Sequence, residues 1–504
     1  MICSGILRFA ALASLLPPST ASVASESKAS DGKDKKILIL GGGVAGIIAA
    51  RTFHEQGFDN FVIVEARDEL GGRMRSTTFG STGNEWTVEL GANWVQGTQV
   101  GSGPKNPILT LAEKHDVKTT FSDFYGSMTT YDNTGYVDYL DVFNAAVDNY
   151  TTMVNLAGER VAKKQVDTTS RTGYSLSGSK PQNKYEMVSE YYQFDWEYAQ
   201  TPEQTSWIAS SWAENFTFDP DFGGFSEDNL FSIDPRGFKT LIQAEAKEFL
   251  KPAQVLYNHT VKEIDYSASG VKVTMKDGNA LEADYVICTF SLGILQHDDV
   301  VFKPVLPDWK QEAIQSMTMA TYTKIFLQFD SKYWFETQFG LYADSTRGRY
   351  PVWQGLDLKG FMPGSKILFV TTTGDYSQRI EALPDSEVQT EIMGVLRTMF
   401  PNVTVPDPVD FMFPRWHSDP LYRGSYSNWP SSFYSDHHKN LRATVEDRLW
   451  FAGEATSAKY YGFMHGAYYE GQDAADAVVR CMHEGGCAGR AHVKEVTAGR
   501  PYDV

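Results

Sequence analysis

The segment KKILILGGGVAGIIAARTFHEQGFDNFVIVEARDELGGR, residues 35 to 73, constrains the fold more than any other stretch. ILIL has the continuous apolar character of a parallel strand buried on both faces. Gly41, Gly43 and Gly46 follow in GxGxxG spacing, a helix runs on to a stop at Gly57, and a second strand, NFVIVE, ends in Glu65. Each part has a physical task. The first glycine permits a tight turn, the second lets backbone approach a pyrophosphate, and the third lets the helix pack close to the strand. The helix N-terminus offers free N–H groups and positive potential to phosphates. Glu65, placed nineteen residues after Gly46, suits ribose hydroxyls and would repel a 2′-phosphate. The segment predicts an α/β dinucleotide-binding unit; a Gly-rich turn in some other α/β unit is the alternative.

A chain of 504 residues accommodates two or more domains around a large core. Its net charge of −18 argues against nucleic acid and anionic membrane as partners. It would favour a cationic ligand, although acidity also serves solubility alone. The N-terminus, MICSGILRFAALASLLPPSTASVAS, has a short apolar stretch followed by small residues, with Ala21-Ser22 and Ala24-Ser25 as cleavage points. It reads as a secretory signal peptide over residues 1–24 and not as a membrane span. In an oxidising compartment Cys481 and Cys487, in CMHEGGC, are expected to form a disulfide. Cys288, inside the apolar ADYVICTF, reads as an inert core thiol. No Cys/His pair at ligand spacing accompanies Cys481 and Cys487, so no metal is expected. Sequons at Asn149, Asn215, Asn258 and Asn402 become glycan candidates if the chain is secreted.

ATYTKIFLQF, residues 320 to 329, reads as a strand with a lysine among aromatics. Alternation puts Tyr322, Lys324, Phe326 and Gln328 on one face and Thr321, Thr323, Ile325, Leu327 and Phe329 on the other. Two readings fit the residues alone. The ammonium could snorkel to solvent from a strand edge, or it could be a buried functional group whose desolvation must be offset by hydrogen bonds.

Further segments stand in a fixed order along the chain. EARDELGGRMRS (65–76) and VELGANWVQG (88–97) come first, then YYQFDWEYAQTP (191–202), PRGFKTLI (235–242), NHTVKEIDY (258–266) and ADYVICTFSLGILQ (283–296). FKPVLPDWK (302–310), MATYTKIFLQF (319–329), PRWHSDPLYRGSYSNWP (414–430) and RLWFAGEATSAKYYGFMHGAYYEGQDAADAVV (448–479) complete the set. Together they resemble the flavin-containing amine oxidase family, and within it the secreted polyamine oxidases of the plant apoplastic type. The resemblance implies an α/β fold with a discontinuous Rossmann-like FAD-binding domain (36–117, 216–303, 431–487) and an α+β substrate-binding domain (118–215, 304–430), followed by a tail, 488–504. From the residues themselves, YNHTVKEIDY, GVKVTMKDG and ADYVICTF read as a β-meander turning at KDGN, and TSRTGYSLSGSKPQNK, 169–184, as a mobile surface loop.

The resemblance also implies site roles. FAD would be held without a covalent bond, since no cysteine lies in YYGFMHGAYY. Its contacts would come from Gly41, Gly43, Gly46, Glu65, Arg67, Arg73, Val261, Trp416, Tyr422 and Glu454. Lys324 matches the family lysine that holds a water against flavin N5, and Tyr322 shares its face. Tyr426 and Phe463 match the two aromatics that sandwich the amine, in the reverse of the order often found. Glu197 and Tyr198 match an acid and an aromatic lining a polyamine tunnel, where an unpaired carboxylate would attract a distal ammonium. Gln96 departs from the family, which carries glutamate at this place in GANWVQG. The amide keeps the shape and hydrogen bonds but loses a negative charge. The implied partners are a polyamine and O2, and the expected state is a monomer. A monoamine or L-amino-acid oxidase, or a flavin-binding surface protein without turnover, are the alternatives.

Overall fold

The computed structural model of the chain describes residues 32 to 484 and 490 to 496. The expected signal segment lies outside the described residues. So does Cys487, and with it the expected pairing to Cys481, which is buried in the long C-terminal helix.

The clamp segment folds as strand Ile37–Leu40, helix Val44–Glu55 and strand Phe61–Val64. These strands form the centre of a five-stranded sheet, all parallel, in the order Val255–Leu256, Phe61–Val64, Ile37–Leu40, Tyr285–Cys288, Leu449–Phe451. The sheet therefore gathers pieces from the start, middle and end of the chain. Every residue of Ile37–Leu40 is buried, because helices Val44–Glu55 and Met464–Glu484 cover one face, with Ile37 and Ile39, and the strands Val261–Ser267 and Gly270–Met275 cover the other, with Leu38 and Leu40. Helix Val44–Glu55 packs against helix Met464–Glu484, and Gly471 permits this: a Cβ there would lie 2.2 Å from the Ala45 carbonyl oxygen.

The middle strands differ from their sequence reading in one respect. Val261–Ser267 and Gly270–Met275 are antiparallel neighbours as expected, and KDGN turns the chain into a third strand, Ala280–Ala283. ADYVICTF does not continue the meander. Asp284 accepts from the Lys36 N–H and the Lys35 ammonium, and the chain crosses to the parallel sheet as Tyr285–Cys288. An all-apolar YVIC run belongs in a sheet covered on both faces, and the meander's alternating burial does not offer that. Cys288 is buried there and its thiol is pushed up to about 12 by burial, which makes it inert.

A second, seven-stranded sheet runs Asp410–Met412, Tyr322–Gln328, Ile367–Thr373, Val352–Gly355, Phe339–Ala343, Met128–Asp132, Gly135–Tyr136. Its helices include Leu140–Ala162, Lys184–Gln193 and Trp207–Phe218. The segment 169–184 is not a loop throughout. Residues Ser170–Leu176 form a helix, and Tyr174 is fully buried against Phe194. Apolar burial of that ring outweighs the weak helix propensity of a Ser- and Gly-rich stretch.

Three glycines of the clamp have distinct local geometry. Gly41 has φ +111°, a conformation open to glycine at little cost. A Cβ on Gly46 would lie 2.0 Å from the Gly41 carbonyl oxygen. A Cβ on Gly43 would meet only the Gly72 Cα, at 3.8 Å. Gly46→Ala is therefore expected to cost about 1–3 kcal/mol through overpacking. Gly43→Ala should hold stability within about 0.5 kcal/mol and instead weaken dinucleotide binding. Denaturant melts and ligand titration of the two variants separate these outcomes.

Candidate active site

A cavity of about 290 Å³ opens between the two sheets. One end is the clamp: Gly41, Gly43, Val64, Glu65 and Ala66 line it, with His259, Thr260 and Val261 beside them. Glu65 is buried at the end of its strand, accepting from the Gly42 N–H at 2.7 Å and the Arg67 N–H at 2.8 Å. Burial pushes this carboxyl up and the two N–H bonds oppose that. Lone pairs remain on both oxygens for ribose hydroxyls, as a dinucleotide requires. Gly43 faces the cavity with no side chain to obstruct a pyrophosphate. The residues present thus fit a dinucleotide.

Next along the cavity come Arg73, Trp416, Tyr422 and Glu454. Arg73 donates to Glu454 Oε1 at 2.7 Å and to the Ser425 carbonyl at 3.0 Å. Glu454 also accepts from the Ser427 hydroxyl at 2.5 Å and the Gly462 N–H at 2.8 Å. Its carboxylate is thereby committed to protein donors, and it welds the late segment to the early one. Arg67 and Gly46 are not among the cavity-lining residues. Arg67 binds Glu69 at 2.5 Å and the Tyr422 hydroxyl at 3.2 Å, and Tyr422 in turn donates to the Gly72 carbonyl at 3.2 Å. It braces the wall from behind; Gly46 acts through helix packing.

Lys324 lies at the meeting point of the two sheets. Its strand pairs with Ile367–Thr373, and the lysine shares a face with Phe326, which packs on Phe79 and Phe369. Ile325 and Leu327 enter the opposite core. The side chain is 2% exposed, so the snorkelling reading fails. Its ammonium donates to the Gly91 carbonyl at 2.6 Å, Asn93 Oδ1 at 2.7 Å and the Glu89 carbonyl at 3.2 Å. Burial pushes the ammonium down to about 7, with the Glu89 carboxylate opposing. Three acceptors match three N–H bonds, which also favours the charged form. A water can be held at Nζ only in exchange for one of these bonds, the longest being that to Glu89. Sequence reasoning had not singled out Asn93 or Glu89, although both stand in the quoted VELGAN.

The far end of the cavity is aromatic and acidic. Trp94, Phe124, Trp196, Tyr322, Tyr426, Tyr461 and Phe463 line it, with Gln96, Glu197 and Tyr198. Tyr322 and Tyr426 lie 6.0 Å apart, and the Tyr426 hydroxyl donates to the Glu197 carbonyl at 2.8 Å. Phe463 stacks on His465. Glu197 accepts from Gln96 Nε2 at 3.1 Å, so it is not free of partners as expected, but its partner is neutral. Burial pushes Glu197 up to about 8, and the neighbouring Glu214 adds to that. Tyr198 lines the cavity while its hydroxyl points into the protein, donating to the Ser210 carbonyl at 2.9 Å.

Glu197 and Tyr198 sit on one helical turn, Asp195–Tyr198, ended by Ala199 at φ +52°. A single turn cannot hold itself. Asp195 anchors it through a bidentate bond from Arg347 at 2.8 and 2.6 Å, and Arg347 also pairs with Glu190, as does Arg171. None of these anchors was legible in the motif, because their partners lie far away in sequence.

These features define a dinucleotide-binding oxidoreductase with an aromatic, acid-poled substrate cavity. Comparison with known proteins agrees. Residues 44–479 match the model of the flavin containing amine oxidoreductase family, and the chain belongs to that family. It is 37% identical over 478 residues to polyamine oxidase 1 of Zea mays, covering 90% of this chain and 92% of that protein. It is 36% identical over 474 residues to polyamine oxidase 6 of Oryza sativa subsp. japonica, covering 90% and 92%. Its fold resembles a solved putrescine oxidase bound to putrescine, with TM-score 0.70, 16% identity, and coverage of 88% of this chain and 99% of the other. The chain is thus an amine oxidase whose cofactor is FAD.

Arg347→Met is expected to leave Asp195 with an uncompensated buried charge, while Glu190 keeps its pair with Arg171. The cost should be about 3–5 kcal/mol, read as a drop in denaturant midpoint.

Proposed function

We propose that this chain oxidises polyamines at a secondary amine, converting amine, O2 and water into an aminoaldehyde, a shorter amine and hydrogen peroxide. The observation that carries the reading is the cavity itself. An apolar aromatic channel, with Tyr426 and Phe463 on its walls, leads from Lys324 to Glu197, a carboxyl that burial keeps largely protonated and that has no protein cation beside it, so an arriving ammonium supplies the charge that ionises it. Flat π faces suit an alkylamine stem, and the carboxylate suits a distal ammonium. The only arginine lining the cavity among the described residues is Arg73, which is engaged by Glu454, so a substrate carboxylate finds no free guanidinium. That weighs against an amino-acid oxidase.

Bound FAD supplies the two-electron acceptor for the amine's α C–H bond and returns the electrons to O2. The protein's part is orientation and proton control. Tyr426 and Phe463 would align the amine, and Lys324 would hold a proton or a water at its Nζ beside the reacting carbon. No cysteine lines the cavity among the described residues, which supports non-covalent FAD. Acid precipitation should leave the flavin in the supernatant; flavin retained on the pellet contradicts this.

Secretion and glycosylation remain part of the proposal. Asn258 and Asn402 are exposed in loops, as glycan acceptors must be. Asn149 and Asn215 lie within helices, and Thr217 of the second sequon is fully buried. No helix among the described residues is long and apolar enough to cross a membrane.

Incubation with spermine, spermidine and N1-acetylspermine, with products followed by mass spectrometry, should give peroxide and an aminoaldehyde from at least one of them. Absence of both from all three refutes the reading. Lys324→Met should slow flavin reduction or reoxidation at least about tenfold, of the size expected for a lost proton-handling group. Because burial holds Lys324 near 7, its neutral form predominates above that pH and its charged form below. The wild type should show a rate limb in that range, rising with pH, and the Lys324→Met variant should lack it.

A further inference from the structure

Of the three acceptors on the Lys324 ammonium, two are backbone carbonyls and only Asn93 offers a side chain. An ammonium only donates, so the carboxamide oxygen faces Nζ and the NH2 group is turned away from it. Asn93 is buried and lines the cavity beside Lys324, and its Nδ2 donates to no protein acceptor among the described residues. The segment that carries it is held firmly. The Leu90 and Gly91 N–H groups both donate to the Arg75 carbonyl, at 2.8 and 3.3 Å, and the Asn93 carbonyl accepts from the Ser232 N–H at 2.8 Å. A Cβ on Gly91 would lie 1.8 Å from the Arg73 carbonyl oxygen, so backbone meets backbone there. The next residue, Trp94, places its ring 5.5 Å from Nζ.

We propose that Asn93 is a positioning residue for the oxidation: its carboxamide oxygen fixes the Lys324 ammonium at the reacting end of the cavity and stabilises the proton that the lysine carries. This rests on the role given to Lys324 above. Gly91 and Asn93, at 2.6 and 2.7 Å, hold two of the three N–H bonds, and the bond to the Glu89 carbonyl, at 3.2 Å, is the one a water displaces. The Gly91 carbonyl is set by the fold, so Asn93 is the short acceptor that a side-chain change alters. Few other polar groups face the ammonium. The Glu89 carboxylate acts on it through space, Tyr322 shares its strand face, and Thr371 pairs with it on the neighbouring strand. Arg73 lines the same cavity and is engaged by Glu454. None of these side chains meets Nζ in a hydrogen bond. Removing an acceptor from a buried ammonium favours its neutral form, and putting an anion in the acceptor's place favours the charged form.

The test compares Asn93→Leu and Asn93→Asp with wild type, all as FAD-loaded enzymes. Two quantities are followed against pH: the rate of anaerobic flavin reduction by spermine, and the NMR titration of lysine side chains labelled at the ε-carbon, with the Lys324 signal assigned by its loss in Lys324→Met. Asn93→Leu keeps the volume and loses the acceptor. It should move both the rate limb and the Lys324 titration down by at least about one pH unit, the scale of one hydrogen bond to a charged group. Asn93→Asp should move both up by about as much. A merely structural role would slow the variants without shifting the two titrations in opposite directions. If Asn93→Leu fails to fold, the near-isosteric Asn93→Asp decides by the sign of its shift. Lys324 titrations that stay at the wild-type pH, or move the same way in both variants, overturn the proposal while leaving the role of Lys324 intact. A wild-type rate limb that survives in Lys324→Met overturns both. The NMR titration needs no turnover, so it decides the matter even for an enzyme that oxidises no polyamine.

Discussion

The bonds from the Lys324 ammonium to the Glu89 and Gly91 carbonyls and to Asn93 join the two halves of this molecule. The lysine belongs to the seven-stranded sheet; its acceptors belong to the segment that follows the dinucleotide clamp. A buried ammonium is tolerated only where its hydrogen bonds are met. Those acceptors therefore fix where the second sheet sits over the first. The cavity between the sheets, and the distance from clamp to aromatic channel, follow from that docking.

The same joint sets the chemistry. Burial lowers the lysine toward neutrality, while three oxygen acceptors and the Glu89 carboxylate stabilise its charge. Glu89 is itself buried, with one oxygen bonded to the Phe238 N–H and the other without a partner, and burial pushes it up to about 7. The Glu89 carboxyl shares no hydrogen bond with the ammonium, which meets only the Glu89 backbone carbonyl, so it acts on Lys324 through space. At the other end, burial likewise pushes Glu197 up to about 8, and no protein cation opposes it. The cavity is thus proton-handling at its reacting end and cation-seeking at its far end.

Much of this was legible in the sequence because it is local. The glycine spacing, Glu65, and the alternation that puts Lys324 beside Phe326 are set by neighbours a few residues apart. Strand identity was legible where burial is one-sided, as in Val261–Ser267. It misled at ADYVICTF, since the apolar run cannot say which sheet receives it. The helix at Ser170–Leu176 was hidden because Tyr174 is drawn in by Phe194 and by the Trp207 region, contacts that no local pattern encodes. The partners of Arg67 were hidden for a related reason: the motif marks it as near the cofactor, but its bonds to Glu69 and to the distant Tyr422 hydroxyl come from the fold. The anchors Arg347 and Glu190, and the placement of Glu214, depend on elements far apart in the chain and emerge only from the fold.

The central claim is that this cavity passes electrons from a polyamine to its flavin. Anaerobic titration of the FAD-loaded protein with spermine tests it most directly. The account predicts bleaching of the oxidised-flavin absorbance in proportion to the amine added, recovered with peroxide release when air is admitted. An oxidised spectrum unchanged by excess spermine, spermidine and N1-acetylspermine would contradict it.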